Sequence, residues 1–213
     1  MSSENNRFYK RNLPHYTTPN SILFVTFRLA GTIPNHIVEN LKSELEFKLN
    51  RIEIEKYPPQ YGKKLSEIEY KKHFLAIDEY IDNNSMIVFL KREDIAQIVM
   101  DSLFFHDKVD YDLIAFTIMP NHVHLVVRYT NTEKPFYEIM KSIKLYSARH
   151  ANVLLGRRGQ FWQPESYDHV IRNDEEYRNV IKYVLNNPVK AKLIEHWKSW
   201  KFSYLRYEID DIL

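Results

Sequence analysis

Apolar and β-branched residues cluster in four short segments that are bounded by turn-forming residues. Clusters of this length predict β-strands. Two of the segments are separated only by Pro120 and Asn121, which predicts a β-hairpin. The predicted strands are Ile22–Arg28, Tyr111–Met119, His122–Arg128 and Tyr167–Arg172.

Between these strands, apolar residues recur at the three- and four-residue spacing of helices. Helices are predicted from Asn35 to about Leu49, over Ser66–Ile81, from about Arg92 to Phe105, from Pro135 to about Leu155, and from Asp174 to a stop near Pro188. The order of elements predicts an α+β fold, a split βαβ antiparallel sheet with helices on one face.

Residues 53–84 differ from the rest of the chain. They are dense in Glu, Lys and Tyr and are interrupted by Pro58, Pro59 and Gly62. We interpret this stretch as a helical insertion within a single domain that spans residues 1–213. It lies outside the predicted split βαβ unit.

The composition of the chain excludes several kinds of site and structure. The chain has 213 residues, of which 44% are hydrophobic and 27% charged, as is typical of a globular domain and not of a disordered chain. Because cysteine is absent, disulfides, a thiolate zinc site and a cysteine nucleophile are excluded. The apolar runs are too short to span a bilayer, and the polar start lacks the apolar core of a signal peptide. We expect a cytoplasmic protein with no membrane partner.

The predicted hairpin carries the most distinctive motif, Pro-Asn-His-Val-His. Residues two apart in a strand point to the same face, so His122 and His124 project together as candidate metal ligands. Position 126 is Val, which argues against a pattern of three alternating histidines and against a tight zinc site. Two imidazoles completed by an oxygen ligand fit Mg²⁺ or Mn²⁺ better.

The last predicted helix offers that oxygen ligand. Tyr183 and Asn187 are four residues apart and therefore lie on one flank of the helix. Asn187 can give a carbonyl oxygen to a hard cation, and Tyr183 would lie one turn away as a candidate nucleophile toward a metal-bound phosphodiester. The alternatives are a packing role for Tyr183 and helix termination by Asn187 before Pro188.

A run of basic residues precedes two aromatic residues. Between Lys141 and Gln163 there is no acidic residue, and Phe161 and Trp162 follow directly after the bases. Such a pattern suits phosphate neutralisation and base stacking on single-stranded nucleic acid, although a solvated helix face is an equal alternative. The predicted DNA-binding residues of this run are Lys141, Lys144, Arg149, Arg157, Arg158 and Trp162. Arg11, in the basic and aromatic segment that precedes the first strand, is a further candidate.

Four motifs follow one another in order: Pro120-Asn-His-Val-His124, Phe161-Trp-Gln163, Tyr167-Asp-His-Val-Ile-Arg172 and Tyr183-Val-Leu-Asn-Asn-Pro-Val-Lys190. The set resembles the REP-associated tyrosine transposases, a branch of the single-tyrosine HUH (IS200-like) transposases. The segments Arg11–Tyr16 and Val25–Arg28 also resemble that family. The resemblance covers most of the chain but not residues 53–84.

The resemblance implies a ferredoxin-like catalytic domain. It also implies a metal held by His122 and His124, with Asn187 as third ligand and Tyr183 as nucleophile. It implies cleavage of single-stranded DNA near a hairpin, through a 5′-phosphotyrosine link that frees a 3′-hydroxyl. We keep Tyr146 as a minor alternative nucleophile. Asp168 and His169 are expected to support the site from beside it. Arg172 and Lys190 are expected to contact phosphates of the DNA.

Three functions are therefore considered. The first is a metal-dependent single-strand DNA endonuclease and strand transferase, acting on hairpin (REP-like) ends as a monomer or homodimer. The second is a nucleic-acid-binding regulator that does not cut. The third is a metal phosphoesterase for small nucleotides. The scarcity of glycine, four residues in the chain, argues against a nucleoside-triphosphate enzyme with a Gly-rich phosphate loop.

Overall fold

The computed structural model describes residues 7–10, 14–84 and 86–207. The chain divides into two compact units, one formed by Met1–Ala30 with Val88–Leu213 and the other by Gly31–Ile87. Strands and helices follow in the order β1 (Arg7–Lys10), β2 (Pro14–Thr17), β3 (Ile22–Arg28), α1 (Asn35–Ile54), α2 (Pro59–Asn84), α3 (Glu93–Phe105), β4 (Tyr111–Ile118), β5 (His122–Tyr129), α4 (Phe136–Leu154), β6 (Tyr167–Ile171), α5 (Asp174–Lys190) and β7 (Ser203–Leu205). Among these residues no helix is both long and apolar enough to cross a membrane.

The first unit is built on a five-stranded sheet in the order β6-β3-β5-β4-β7, with every neighbouring pair antiparallel. The first four strands of that order have the arrangement of a split βαβ sheet, and β7 extends it at one edge. The predicted antiparallel α+β class is thus confirmed. The segment before β3 forms a separate two-stranded antiparallel hairpin, β1 with β2.

The two faces of the sheet bear different residues. On one face the side chains of Leu23, Val25 and Phe27 are at most 1% exposed, and this face is covered by the pair of helices α3 and α4. Residues between them, including Thr26, point to the opposite face because the side chains of a strand alternate. Helix α5 packs against β4 and β5 on that opposite face. The sheet therefore has helices on both faces, where the sequence pattern predicted them on one.

Local signals explain how α5 begins. Asn173 caps the helix through its side-chain oxygen, which accepts from the Glu176 backbone N–H at 2.8 Å. Glu176 reaches back to the Arg172 backbone N–H at 2.9 Å, so two backbone donors at the helix start are satisfied.

The end of α5 differs from the prediction. The helix continues through Pro188 to Lys190, although Pro188 was expected to stop it. A proline inside a helix removes one backbone hydrogen bond. Leu185, Asn187 and Pro188 are all buried, and packing of this part of the helix against the sheet offsets that loss.

The second unit is a helical hairpin of α1 and α2, which pack against each other. The predicted insertion at 53–84 corresponds to the end of α1 and all of α2, which begins at Pro59 and is longer than the predicted Ser66–Ile81 segment. Leu45 of α1 and Phe74 and Ile81 of α2 are buried. Helix α2 also carries a buried carboxylate, Asp78.

Candidate metal and tyrosine site

The register of β5 brings His122 and His124 to the sheet face that α5 covers. Thr26 of β3 pairs with His124, and Arg28 pairs with His122. Directly paired residues of neighbouring strands share a face, so all four side chains lie on the same side of the sheet. Both imidazoles are fully buried.

Hydrogen bonds to the Nδ1 atoms set the tautomers of the two histidines. Asn121 Oδ1 lies 2.7 Å from His122 Nδ1, and because a carbonyl oxygen can only accept, Nδ1 bears the proton. Thr26 Oγ1 lies 2.8 Å from His124 Nδ1 and accepts from it in the corresponding tautomer. Each Nε2 then presents a lone pair, as a metal ligand must.

The two Nε2 atoms are 2.9 Å apart. Two lone pairs at that separation repel unless a proton or a cation lies between them. Two nitrogens bound about 2.1 Å from one ion lie about 3 Å apart at an octahedral angle and about 3.4 Å apart at a tetrahedral one. The observed separation of 2.9 Å is close to that expected for one small ion held by both nitrogens.

Asn187 of α5 completes the group from the other side. Its side chain is 1% exposed, and its Nδ2 lies 3.0 Å from His124 Nε2. Its Oδ1 is buried and has no hydrogen-bond partner among the residues that the structure describes. Oxygen and nitrogen of an amide are assigned from the surrounding hydrogen bonds, and a rotation of the amide would turn Oδ1 toward the histidines. The two Nε2 atoms and this buried amide oxygen could together hold a small cation.

Burial also shapes the ionisation of the site. It lowers the pKa of His124 to about 3, and the positive charge of Lys190 adds to the effect. His124 is therefore neutral and able to bind a metal across the physiological range. Burial likewise lowers the pKa of Arg28 to about 10, which leaves a charged guanidinium on the face shared with His122.

Tyr183 lies beside this group. Its ring centroid is 5.3 Å from that of His124 and 6.0 Å from that of Phe24, with edge-on geometry in both cases. The residue is partly exposed. The structure thus brings together the four residues predicted for the site, His122, His124, Asn187 and Tyr183.

The alternative nucleophile, Tyr146, is placed differently. It lies on α4, where it is 49% exposed and its ring packs on His150 of the same helix at 4.2 Å. In β6, His169 pairs with Phe24 and so lies on the site face, where its Nε2 is 2.7 Å from Glu176 Oε1. Asp168 pairs with Val25 and belongs to the other face.

The basic residues proposed from the sequence have diverse surroundings. Lys144 is engaged by the loop that follows α4: its Nζ donates to Gln163 O at 3.0 Å, Pro164 O at 3.1 Å and Ser166 Oγ at 2.7 Å. Arg157 packs over the ring of Phe89 at 5.0 Å. The remaining described members are exposed: Lys141, Arg149, Arg158, Arg172 and Lys190. Arg11 lies outside the described residues.

Trp162 requires a correction. It was predicted to stack on nucleic-acid bases, but it is only 5% exposed. Its ring packs against Phe27 at 4.8 Å, and its Nε1 donates to Ser147 Oγ at 2.9 Å. Trp162 is a core residue between β3 and α4, because the large ring gains more from burial against Phe27 than from exposure to solvent.

Thr26, Asn121 and Phe24 contact the site but were not identified from the sequence. Asn121 immediately precedes the first histidine, and that adjacency was a usable signal. Thr26 and Phe24 are far from the histidines along the chain, and only the pairing of β3 with β5 brings them into contact.

Comparison with known proteins agrees with this geometry. Residues 91–187 match the family profile described as transposase IS200 like. A REP-associated tyrosine transposase of Escherichia coli K12 is 27% identical over 99 residues, which is 46% of this chain and 57% of that protein. A Haemophilus influenzae protein, provisionally given the same name, is 24% identical over 108 residues, covering 46% of this chain and 61% of the relative. The chain thus spans about three fifths of the length of these relatives.

A solved structure supports the fold. The structure of a REP-associated tyrosine transposase bound to a REP hairpin superposes with a TM-score of 0.52 at 15% identity, over 91% of this chain and 82% of that one.

The profile match includes β4, β5, α4, β6 and most of α5, so it contains both histidines, Tyr183 and Asn187. Residues 91–187 thus match the IS200-like transposase profile, and the chain is similar to the REP-associated tyrosine transposases.

Proposed function

We propose that this protein is a metal-dependent single-strand DNA endonuclease and strand transferase in which Tyr183 is the nucleophile. The observation that carries the proposal is the position of the Tyr183 ring, 5.3 Å from the ring of His124, on the same helix as Asn187. A phenol next to two imidazoles and an amide suits attack on a phosphodiester held at those ligands.

The proposed step balances without a further reactant. The phenol of Tyr183 loses its proton as the Oη–P bond forms, and the bond from phosphorus to the 3′ oxygen breaks. The departing 3′ oxygen gains a proton and leaves as a hydroxyl, while the 3′ portion of the DNA stays joined to Tyr183 through its 5′ phosphate as a phosphotyrosine ester. Because the ester conserves the energy of the phosphodiester, a 3′-hydroxyl can reverse the step and rejoin strands without ATP.

His122, His124 and Asn187 would hold the divalent cation, Mg²⁺ or Mn²⁺. When bound, such an ion polarises a phosphate oxygen and neutralises charge that develops during the displacement. The protein contributes the orientation of the ligands: Asn121 and Thr26 fix the two imidazoles, and burial keeps His124 neutral. Lys190, exposed one turn after Asn187, is proposed to contact a phosphate at this site.

We propose a DNA hairpin end as the substrate. The superposable transposase was solved with a REP hairpin, and a hairpin presents both a duplex stem and an unpaired strand. The exposed bases Arg149 and Arg158 are suited to neutralising phosphates of such a substrate. Arg28, whose guanidinium lies on the face of the histidines, is suited to the scissile strand.

The test is covalent capture of the cleaved strand. Single-stranded hairpin DNA labelled at either end is incubated with protein and Mn²⁺, and the products are separated on a denaturing gel. Wild type is expected to give a covalent band that carries only the 3′ portion of the DNA, since this portion begins with the 5′ phosphate. Tyr183→Phe is expected to bind DNA and give no band, whereas Tyr146→Phe, the matched control on α4, is expected to behave as wild type.

Two results would overturn the proposal. An adduct that persists in Tyr183→Phe would assign the nucleophile elsewhere, with Tyr146 and Tyr167 the next to be replaced. Salt-dependent binding with no adduct, on several hairpins and in both Mg²⁺ and Mn²⁺, would establish the non-cleaving regulator instead.

A further inference from the structure

The ring of Phe24 packs beside three other rings at the site. Its ring centroid lies 5.8 Å from His124 in a stacked arrangement, 6.0 Å from Tyr183 edge-on, and 6.1 Å from Tyr167 edge-on. Phe24 is itself only 4% exposed, so its own position is set by the sheet.

The backbone and the side chain of Tyr183 are held by different contacts. The helix is anchored by Ile181, Val184 and Leu185, all fully buried. Tyr183 itself is partly exposed, and the ring planes of Phe24 and His124 meet its ring at 84° and 69°. Two edge-on neighbours restrict the rotation of an aromatic side chain and favour one orientation of its ring.

We infer that Phe24 is a positioning residue, which fixes the Tyr183 phenol in the orientation for attack on phosphorus. The inference rests on the proposed function, since it concerns the same nucleophile. Attack requires the reacting atoms to be close and aligned, and a displacement of about 1 Å lowers rates about 100-fold. Removing the Phe24 ring allows the phenol to turn away from this geometry while the helix stays in place.

The metal ligands do not depend on Phe24 in the same way. His124 is held through Nδ1 by Thr26 at 2.8 Å and faces Asn187 through Nε2 at 3.0 Å. The loss of one stacked ring leaves both contacts in place. Phe24 is therefore expected to affect the rate of the chemical step and not the binding of metal or DNA.

The same strand offers a matched control. Phe27 lies three residues after Phe24, is 1% exposed and packs on the other face of the sheet against Trp162. Phe24→Leu and Phe27→Leu remove the same atoms from two buried positions of β3. Both variants are expected to lower Tm, but only Phe24→Leu removes a neighbour of Tyr183.

The experiment measures the single-turnover rate of adduct formation with saturating labelled hairpin DNA and Mn²⁺. Affinities for the hairpin and for Mn²⁺ are measured on the same proteins. Phe24→Leu is expected to slow adduct formation about 10- to 100-fold, with both affinities within about threefold of wild type. Phe27→Leu is expected to keep the rate within about threefold. If either leucine variant does not fold, the Phe24→Met and Phe27→Met pair replaces it, because the unbranched side chain of Met adapts to irregular space.

The outcomes separate this inference from the function on which it rests. Wild type that forms no Tyr183-dependent adduct refutes the proposed function itself. Wild type that forms the adduct, with equal rates in the two variants, refutes the positioning role alone. A fall in Mn²⁺ affinity that matches the fall in rate also refutes it, because the effect would then act through His124.

Discussion

Thr26 is predicted to control metal affinity through His124, although it is not itself a ligand. Its Oγ1 lies 2.8 Å from His124 Nδ1, and its side chain is 7% exposed. Replacement by Val keeps the shape and removes the hydrogen bond. The buried Nδ1–H of His124 then has no acceptor, so both the tautomer and the ring orientation that direct Nε2 to the metal are weakened.

The magnitude follows from the geometry. Partners that orient metal-bound histidines contribute about 10- to 100-fold in affinity, which corresponds to about 1.4 to 2.7 kcal/mol. The lower part of this range is expected, because Asn187 still contacts His124 at 3.0 Å. We therefore expect Thr26→Val to raise the Kd for Mn²⁺ about 10- to 30-fold.

Thr117 provides the control. It pairs with His124 from β4, as Thr26 does from β3, and it is fully buried on the same face. Its Oγ1, however, bonds to Ser203 Oγ at 2.7 Å, a contact that is independent of the histidine. Thr117→Val should therefore lose a comparable hydrogen bond and lower Tm without a change in metal affinity.

The assay is calorimetric titration of Mn²⁺ into metal-free wild type and the two variants at one pH, with Tm measured in parallel. The reasoning predicts weak binding in Thr26→Val alone. Equal Kd values for the two variants would refute it, whether both were weakened or neither, since the effect would then be unrelated to the hydrogen bond at Nδ1.

Three further predictions concern residues outside the site. Trp162→Phe loses the bond to Ser147 and should cost about 1 to 3 kcal/mol in urea unfolding, while DNA affinity stays unchanged; weaker DNA binding at equal stability would restore the stacking role. Burial raises the pKa of Asp110, but hydrogen bonds from His106, Lys134 and Asn131 outweigh burial and hold it below its usual range. This stabilisation is present above the unfolded pKa and is lost as pH falls through the folded one, so Tm against pH should decline less steeply below about pH 4 in Asp110→Asn. Combined Arg149→Gln and Arg158→Gln should make the salt dependence of hairpin binding shallower by about 1.4 in the log–log slope, and an unchanged slope would show that neither contacts phosphate.

Local sequence patterns were enough to predict most of the helices and strands. They also showed which residues share a face within each of them. The period of two in β5 placed His122 and His124 together, and the spacing of four in α5 placed Asn187 with Tyr183. Both periods are properties of a single element and are visible in one stretch of sequence. The contacts between these elements could not be predicted from one stretch of sequence, because Asn187 and His124 are 63 residues apart, and Thr26 and His124 are 98 apart.

Trp162 shows why the aromatic residues were harder to interpret. An aromatic side chain after a basic run suits either base stacking or core packing, and the local sequence is the same for both. Trp162 packs in the core because its ring contacts Phe27, on a distant strand, and because Ser147 supplies an acceptor for its indole N–H. Lys144 is similar, because its acceptors lie in the loop at 163–166 and not on its own helix.

The alternation along β3 links the core to the chemistry. Leu23, Val25 and Phe27 bury their side chains toward α3 and α4, while Phe24 and Thr26 face the histidines. A shift of one residue in register would turn Phe24 and Thr26 into the core and bring Phe27 to the site. The energy that prevents this shift comes from the apolar residues on the face away from the site. Core substitutions that loosen the register of β3 are therefore expected to impair the site without contacting it.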